Sequence, residues 1–382
     1  MISFDNKKRN IVLIPEDKRN DRYVGKLFGR HVEDTGVFNV FSDTMLSAGL
    51  LADELGEIYD DGEFTGNEYA LSGHWQGEEL LLFFNGKRLA VKEYSIVQNI
   101  FSRNTGILES HIMREKCAFI LGCGSVGSLI ALELARSGVG KFVLIDNDII
   151  EYHNLCRHQC SVIDVGDYKV NAVAKRIKEI NPTAIVHKIA RVVEQTSRDI
   201  FDEYCLKDRS IIVGCADDRT ADVYANLIAI SYAAPFISIG CWERAFAGEI
   251  FYYLPNSNMP CYKCALGNDD SLSLRTSTNR RFYTTEEDLA LVNFEPGISV
   301  DLNFVTTIGI KLILDILNAG NDNFTPRVLN HLQQFTLVCN TNNPNIGGEM
   351  AEIFSYPLQV TTSLHVNFCG SDPPCPCEFQ KE

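Results

Sequence analysis

Residues 117–169 read CAFILGCGSVGSLIALELARSGVGKFVLIDNDIIEYHNLCRHQCSVIDVGDYK, and this stretch decides the fold. Apolar Ala118 to Leu121 predicts a buried strand. Gly122, Gly124 and Gly127 follow as a G-x-G-x-x-G turn, which lets backbone approach phosphate at a helix N-terminus. A helix is predicted from about Ser125 to Arg136, apolar at Val126, Leu129, Ile130, Leu132 and Leu134, with Gly138 at its C-cap. A second strand, Lys141 to Ile145, carries Asp146 at its carboxyl end, about 20 residues past the glycines, where a ribose-binding acid is expected.

A glycine fingerprint alone favours a dinucleotide-binding dehydrogenase. Hydride-transfer enzymes hold a pyrophosphate mainly with backbone N–H groups and the helix dipole, and need few cations around it. Here Asn154, Arg157 and Lys169 trail the second strand in a polar loop, suited to α-, β- and γ-phosphates and to charge developing as a phosphoanhydride breaks. Taken singly, Arg157 and Lys169 read equally well as solvated surface charges. The neighbouring Asp146-x-Asp148 tips the balance toward an ATP site.

Together these residues resemble the ubiquitin-activating-enzyme-like superfamily, the ThiF/MoeB/HesA group of adenylating enzymes, and within it the microcin-type peptide-adenylating branch. The pattern is a glycine-rich turn, D-x-D, N-L-x-R and G-x-x-K. The chain has Gly122-Cys123-Gly124-Ser125-Val126-Gly127, Asp146-Asn147-Asp148, Asn154-Leu155-Cys156-Arg157 and Gly166-Asp167-Tyr168-Lys169, with Ile180-Asn181-Pro182 closing the next helix. Arg103 resembles the family's arginine that crosses a dimer interface into the partner's site. Cys215-Ala216-Asp217-Asp218 resembles the magnesium-binding aspartate after a later strand, and Asn226 falls where the family keeps an asparagine. The likeness is strong over residues 98–265 and loose elsewhere.

The resemblance implies that a carboxylate attacks the α-phosphate of ATP, giving an acyl-adenylate and pyrophosphate. It assigns Asp146, with Asp148 and Asn154, to the nucleotide, Arg157 and Lys169 to the phosphates, Asp217 to Mg²⁺, and Arg103 to the partner subunit's triphosphate. None of these residues need be a nucleophile, because such catalysis is mostly positioning and electrostatic stabilisation. His158 stands where relatives usually have Gln, and either bonds the nucleotide or caps the loop.

Composition fits a soluble, cytoplasmic enzyme of two or three domains. The 382 residues are 45% apolar, enough for a sizeable core. A net charge of −15 argues against nucleic acid, whose binding depends on neutralising phosphates. No signal-peptide pattern opens the chain, and no run of about 18 apolar residues predicts a membrane span. The 13 cysteines are therefore expected as reduced thiols, some of them metal ligands.

Cys261-Tyr262-Lys263-Cys264 has the C-x-x-C spacing that lets two thiolates grip one tetrahedral Zn²⁺. The family commonly completes such a site from a C-terminal pair, which here implies Cys375 and Cys377, with Cys369 as a substitute. The tail pair is C-x-C, so its ring with the metal is tighter. Cys117, Cys123, Cys156, Cys160, Cys205, Cys215 and Cys339 read as small core hydrophobes. No cysteine occurs between Ala265 and Leu337, where relatives often carry a thioester-forming one. That segment's polar run NDDSLSLRTSTNRRFYTTEED is expected to be mobile or ordered only over substrate.

The fold expected is α/β: a Rossmann-like ATP-binding domain with a mainly parallel sheet (residues 97–360), a small N-terminal α+β accessory domain (1–96) and a cysteine-bearing tail (361–382). In the accessory domain, strands at Leu80–Phe84 and Arg88–Val91 around Asn85-Gly86 predict a type I′ hairpin. This domain serves either substrate recognition or dimerisation and packing. The expected partners are a ubiquitin-like carrier protein or precursor peptide and a second copy of the chain, without nucleic acid or membrane. Two other readings stand beside adenylation: an NAD-dependent oxidoreductase, and a non-catalytic scaffold for a ubiquitin-like protein.

Overall fold

The computed structural model describes residues 8–60, 70–266, 296–364, 366–370 and 375–379. The chain divides into two units, Met1–Thr105 with Asn181–Thr183, and Gly106–Ile180 with Ala184–Glu382.

In the N-terminal unit the strands are β1 (Ile11–Pro15), β2 (Gly25–Val32), β3 (Val37–Val40), β4 (Asp53–Tyr59), β5 (Leu71–Gln76), β6 (Glu79–Phe84), β7 (Lys87–Arg88) and β8 (Ala90–Tyr94). They form a mixed sheet in the order β7-β6-β5-β4-β2-β3-β1-β8. Its core gathers Val12, Ile14, Leu27, Phe38, Ile58 and Trp75. Asn85 and Gly86 both have positive φ (48° and 67°), as a type I′ turn requires. The strand expected over Arg88–Val91 is broken, because β7 ends at Arg88 and β8 leaves to pair in parallel with β1.

The second unit begins its sheet with β9 (Cys117–Leu121), followed by β10 (Lys141–Ile145), β11 (Ile185–Ile189), β12 (Ser210–Gly214), β13 (Phe236–Cys241), β14 (Ala247–Tyr253), β15 (Phe335–Cys339) and β16 (Val360–Leu364). Their order is β11-β10-β9-β12-β13-β14-β15-β16. The first five are mutually parallel, and β14 to β16 extend the sheet antiparallel. Successive side chains of a strand face opposite ways, so a sheet covered on both faces needs uninterrupted apolar strands. Thus Ala118 and Ile120 join one core, while Cys117, Phe119 and Leu121 join the other. Helices Ser125–Arg136, Lys169–Ile180 and Ser299–Leu317 cover the first face through residues such as Ile130, Val173 and Ile313. Helices Arg198–Tyr204 and Arg219–Ser231 cover the second through Phe201 and Ala229.

From β9 the chain winds outward to β10 and β11, then returns to place β12 on the other side of β9. The order therefore reverses between β9 and β12, and a ligand crevice in an open α/β sheet is expected outside their carboxyl ends. Of the seven cysteines expected as core residues, Cys156 is instead exposed; the other six are buried. The polar run at residues 268–288 lies outside the described residues. Among the described residues, no helix is long and apolar enough to cross a membrane.

Candidate nucleotide site and cysteine cluster

The glycine turn sits at the switch point, and its three glycines do different work. Gly122 has φ +95°, and a Cβ there would meet Cys215 O at 2.8 Å and Ala216 N at 2.9 Å, so β9 and the end of β12 pack backbone to backbone. Gly127 lies in the first turn of helix Ser125–Arg136, where a Cβ would stand 1.8 Å from Gly122 O. Gly124 is the N-cap, with no side-chain cap bond, and a Cβ there would meet nothing within 4 Å. The turn is thus closed on the protein side and open at Gly124, over helix N–H groups that suit an anion.

Asp146, just past β10, braces this turn. Its Oδ2 accepts from Cys123 N at 2.6 Å and its Oδ1 from Asp148 N at 2.8 Å. Burial pushes its carboxyl above the usual range, against the lowering effect of those two N–H groups and Lys169. His158, itself buried, completes the brace: Cys160 N donates to its Nδ1 at 3.2 Å, so Nε2 carries the hydrogen and donates to Cys123 O at 2.7 Å. Of the two roles the sequence left to His158, the one formed here is the loop cap.

The loop from Asp146 to Lys169 closes on itself through Ile150 N to Asp167 O, Gly166 N to Ile150 O and Lys169 N to Asp148 O, at 2.8 to 2.9 Å. Lys169 Nζ lies 2.8 Å from Asp148 Oδ2, so the two residues expected to face the nucleotide are paired with each other. Asn154 Oδ1 accepts from Glu151 N at 2.8 Å and shapes the loop. Arg157 is half-buried on the side of Gly297, where an added Cβ would stand 3.7 Å from its Nη1.

Asp217 is exposed in the bend after β12, next to the Ala216 peptide that touches Gly122. Asp218 N-caps helix Arg219–Ser231, its Oδ1 accepting from Thr220 N at 2.8 Å. Within this unit, therefore, the carboxyl ends of β9, β10 and β12 bring together the glycine turn, Asp146, Asp148, Lys169 and Asp217. Arg103 belongs to the N-terminal unit, exposed on the turn Ser102–Asn104.

On the face of the sheet covered by helix Arg219–Ser231, Cys261, Cys264, Cys375 and Cys377 converge, all buried, with their sulfurs within 4.8 Å of one another. Individual separations are 3.6 Å (Cys261 to Cys264), 3.4 Å (Cys261 to Cys375) and 3.7 Å (Cys264 to Cys377). Zn–S bonds of about 2.3 Å place tetrahedral sulfurs about 3.8 Å apart, so the donor set has the size a zinc ion requires. The Cys261 thiol donates to Cys264, which pushes Cys261 up and holds Cys264 down. Cys369, the proposed substitute, lies outside this group of four and hydrogen-bonds to Cys264.

The sequence reading missed Arg219 and Glu249. Arg219 Nη2 lies 3.1 and 3.0 Å from the two carboxylate oxygens of Glu249, which is 1% exposed within apolar β14. The available signal was a charged residue in the run AGEIFYY, since a charge in a buried strand needs a partner.

A doubly wound sheet with a glycine turn, a braced acid and an aspartate bend at its switch point defines a Rossmann-like α/β protein. Residues 101–344, nearly two thirds of the chain, match the ThiF family, and the protein belongs to that family. It is 29% identical over 215 residues to ubiquitin-like modifier-activating enzyme 5 of Bombyx mori, covering 54% of this chain and 53% of that protein. It is 32% identical over 157 residues to the sulfur carrier protein ThiS adenylyltransferase of Bacillus subtilis (strain 168), covering 40% and 45%. The chain spans about half the length of these relatives. The crystal structure of E. coli MccB with MccA-N7isoASN is 21% identical and superposes with a TM-score of 0.46, covering 63% of this chain and 69% of that one.

Proposed function

We propose that the protein adenylates a carboxylate with ATP, the carboxylate being the C-terminus of a ubiquitin-like or sulfur-carrier protein or of a precursor peptide. The observation that carries this reading is the set of groups at the carboxyl ends of β9, β10 and β12: the helix N–H groups beside open Gly124, the braced Asp146, the Lys169–Asp148 pair and the Asp217 bend. Membership of the ThiF family supports it, as do relatives named as adenylyltransferase and activating enzyme.

In this reading the triphosphate lies over Gly124 and the first turn of helix Ser125–Arg136. Asp146 spends one lone pair on each oxygen on backbone N–H groups, which leaves the others to accept from ribose hydroxyls. Lys169 and Arg157 hold the phosphates, with Arg103 contributed across a homodimer. A substrate carboxylate oxygen forms a bond to the α-phosphorus, the α–β bridging P–O bond breaks, and pyrophosphate leaves. Asp217 would hold Mg²⁺, which would supply positive charge to offset that of the phosphates, and an exposed carboxylate suits an ion that takes most of its ligands from water and phosphate. The four buried cysteines would hold a structural Zn²⁺.

The absence of cysteine from Ala265 to Leu337 supports an adenylate that is consumed without an enzyme thioester. The N-terminal domain (1–96) serves substrate recognition, the adenylating domain spans 97–360, the tail is 361–382, and the protein works in the cytoplasm. Pyrophosphate exchange tests the reaction. Wild type should incorporate labelled pyrophosphate into ATP only with a suitable peptide or carrier, and Asp217→Ala should lose about 100-fold or more with its melting temperature unchanged. No exchange with any carboxylate tested, or binding of NAD without ATP, would sink the reading.

A further inference from the structure

The buried Arg219–Glu249 pair stands outside the nucleotide site yet grips the element that carries Asp217. Glu249 receives four hydrogen bonds from three residues: two from Arg219 Nη2, one from Trp242 Nε1 at 3.0 Å and one from Tyr262 OH at 3.3 Å. Each is a donor aimed at a carboxylate oxygen, an arrangement that neither a protonated carboxyl nor a carboxamide can satisfy in full. Arg219 is the first residue of helix Arg219–Ser231 and follows Asp217 by two positions. Its side chain is 15% exposed, so the ion pair is largely desolvated. A desolvated ion pair is seldom the most stable choice for a site, since well-packed apolar residues often do as well, whereas removing one partner is costly. What the pair supplies that apolar residues would not is direction: it ties the helix's first turn to β14 at a fixed point.

We propose that Glu249, acting through Arg219, is a positioning residue that aims the Asp217 carboxylate at the magnesium–nucleotide complex while touching neither. The exposed bend at Asp217 is otherwise tethered on its helix side by the Asp218 cap on Thr220. The Arg219 anchor removes the swing that the cap permits. This inference rests on the nucleotide reading of the site given above.

The test is calorimetric titration of ATP with and without Mg²⁺ into full-length wild type, Asp217→Ala, Glu249→Gln and the double variant Arg219→Met/Glu249→Gln. Magnesium should tighten ATP binding to wild type by about tenfold or more, a coupling that Asp217→Ala abolishes. Glu249→Gln should lose most of that increment while its magnesium-free affinity stays within about twofold. Glu249→Gln also strands a buried guanidinium, so the double variant separates the roles: it should regain the melting temperature but not the magnesium increment. An undiminished increment in Glu249→Gln, or its return in the double variant, overturns the positioning role alone. Failure of wild type to bind ATP in either condition overturns the nucleotide reading, and this inference with it.

Discussion

Cys123 carries two fixed points of the site, its N–H on Asp146 and its carbonyl under His158. Because Nδ1 of His158 accepts a hydrogen bond, protonation there would break that bond and place a charge in a buried position. Burial accordingly pushes the His158 pKa below its ordinary 6.5. A depressed folded-state pKa means the unfolded chain takes up the proton first. The contribution to stability is therefore complete above 6.5 and is lost as pH falls through the depressed value. Glutamine can make both bonds without titrating, so His158→Gln should fold as wild type at pH 7.5 and lose less stability at pH 5.5. Urea midpoints at the two pH values measure this, and parallel losses would refute it. Asp146 has the opposite sign: burial raises its pKa, so its contribution is full below 3.8 and lost as pH rises, a cost borne at neutral pH. The positions of the glycines and Asp146 were legible in the sequence because their spacing is local. The role of Glu249 was not, because its ion-pair partner lies 30 residues away in the chain, and of the two roles the sequence left to His158 only the contact with Cys123, 35 residues away, selects the loop cap.

At the scale of elements, the two ends of the glycine turn make opposite demands. Gly127 lets helix Ser125–Arg136 approach the Gly122 carbonyl, whereas Gly124 borders open space and already has negative φ (−74°). Gly127→Ala should destabilise the protein by about 3 kcal/mol or more, since the clash is with backbone and cannot relax by a rotamer change. Gly124→Ala should leave stability within about 0.5 kcal/mol and weaken ATP binding, because its methyl group enters the space assigned to phosphate. Denaturant unfolding and ATP titration of both variants check the contrast, and equal destabilisation would disprove the division of labour. The first two strands of this unit, read at Ala118–Leu121 and Lys141–Ile145, were legible within a residue, because burial on both faces makes them continuous apolar runs. Most strands of the N-terminal sheet were not. β2 and β4, GKLFGRHV and DELGEIY, mix charge and glycine with few apolar positions, and tertiary pairing decides their conformation.

For the whole C-terminal unit, the cysteine cluster and the aspartate bend are joined by one helix. Asn226 Oδ1 accepts from Tyr262 N at 2.7 Å, and Tyr262 OH reaches the carboxylate that holds Arg219, so the knuckle grips helix Arg219–Ser231 at its first residue and near its middle. The C-x-x-C half of the cluster was legible from spacing, its C-x-C half followed from family likeness, and the link through Asn226 only from the packing. With the four thiols holding a metal, the knuckle is fixed; with it stripped, close-packed sulfurs repel as thiolates or must share protons. Chelation should therefore release about one zinc per chain and raise amide exchange at Tyr262 and along Arg219–Asn226, with helix Lys169–Ile180 on the opposite face changing little. Exchange mass spectrometry with metal analysis reads this directly, without reference to activity. Loss of protection confined to the cysteine segments would show that the knuckle and the helix are not coupled, and equal loss across the unit would show that the metal governs global folding instead of this local joint.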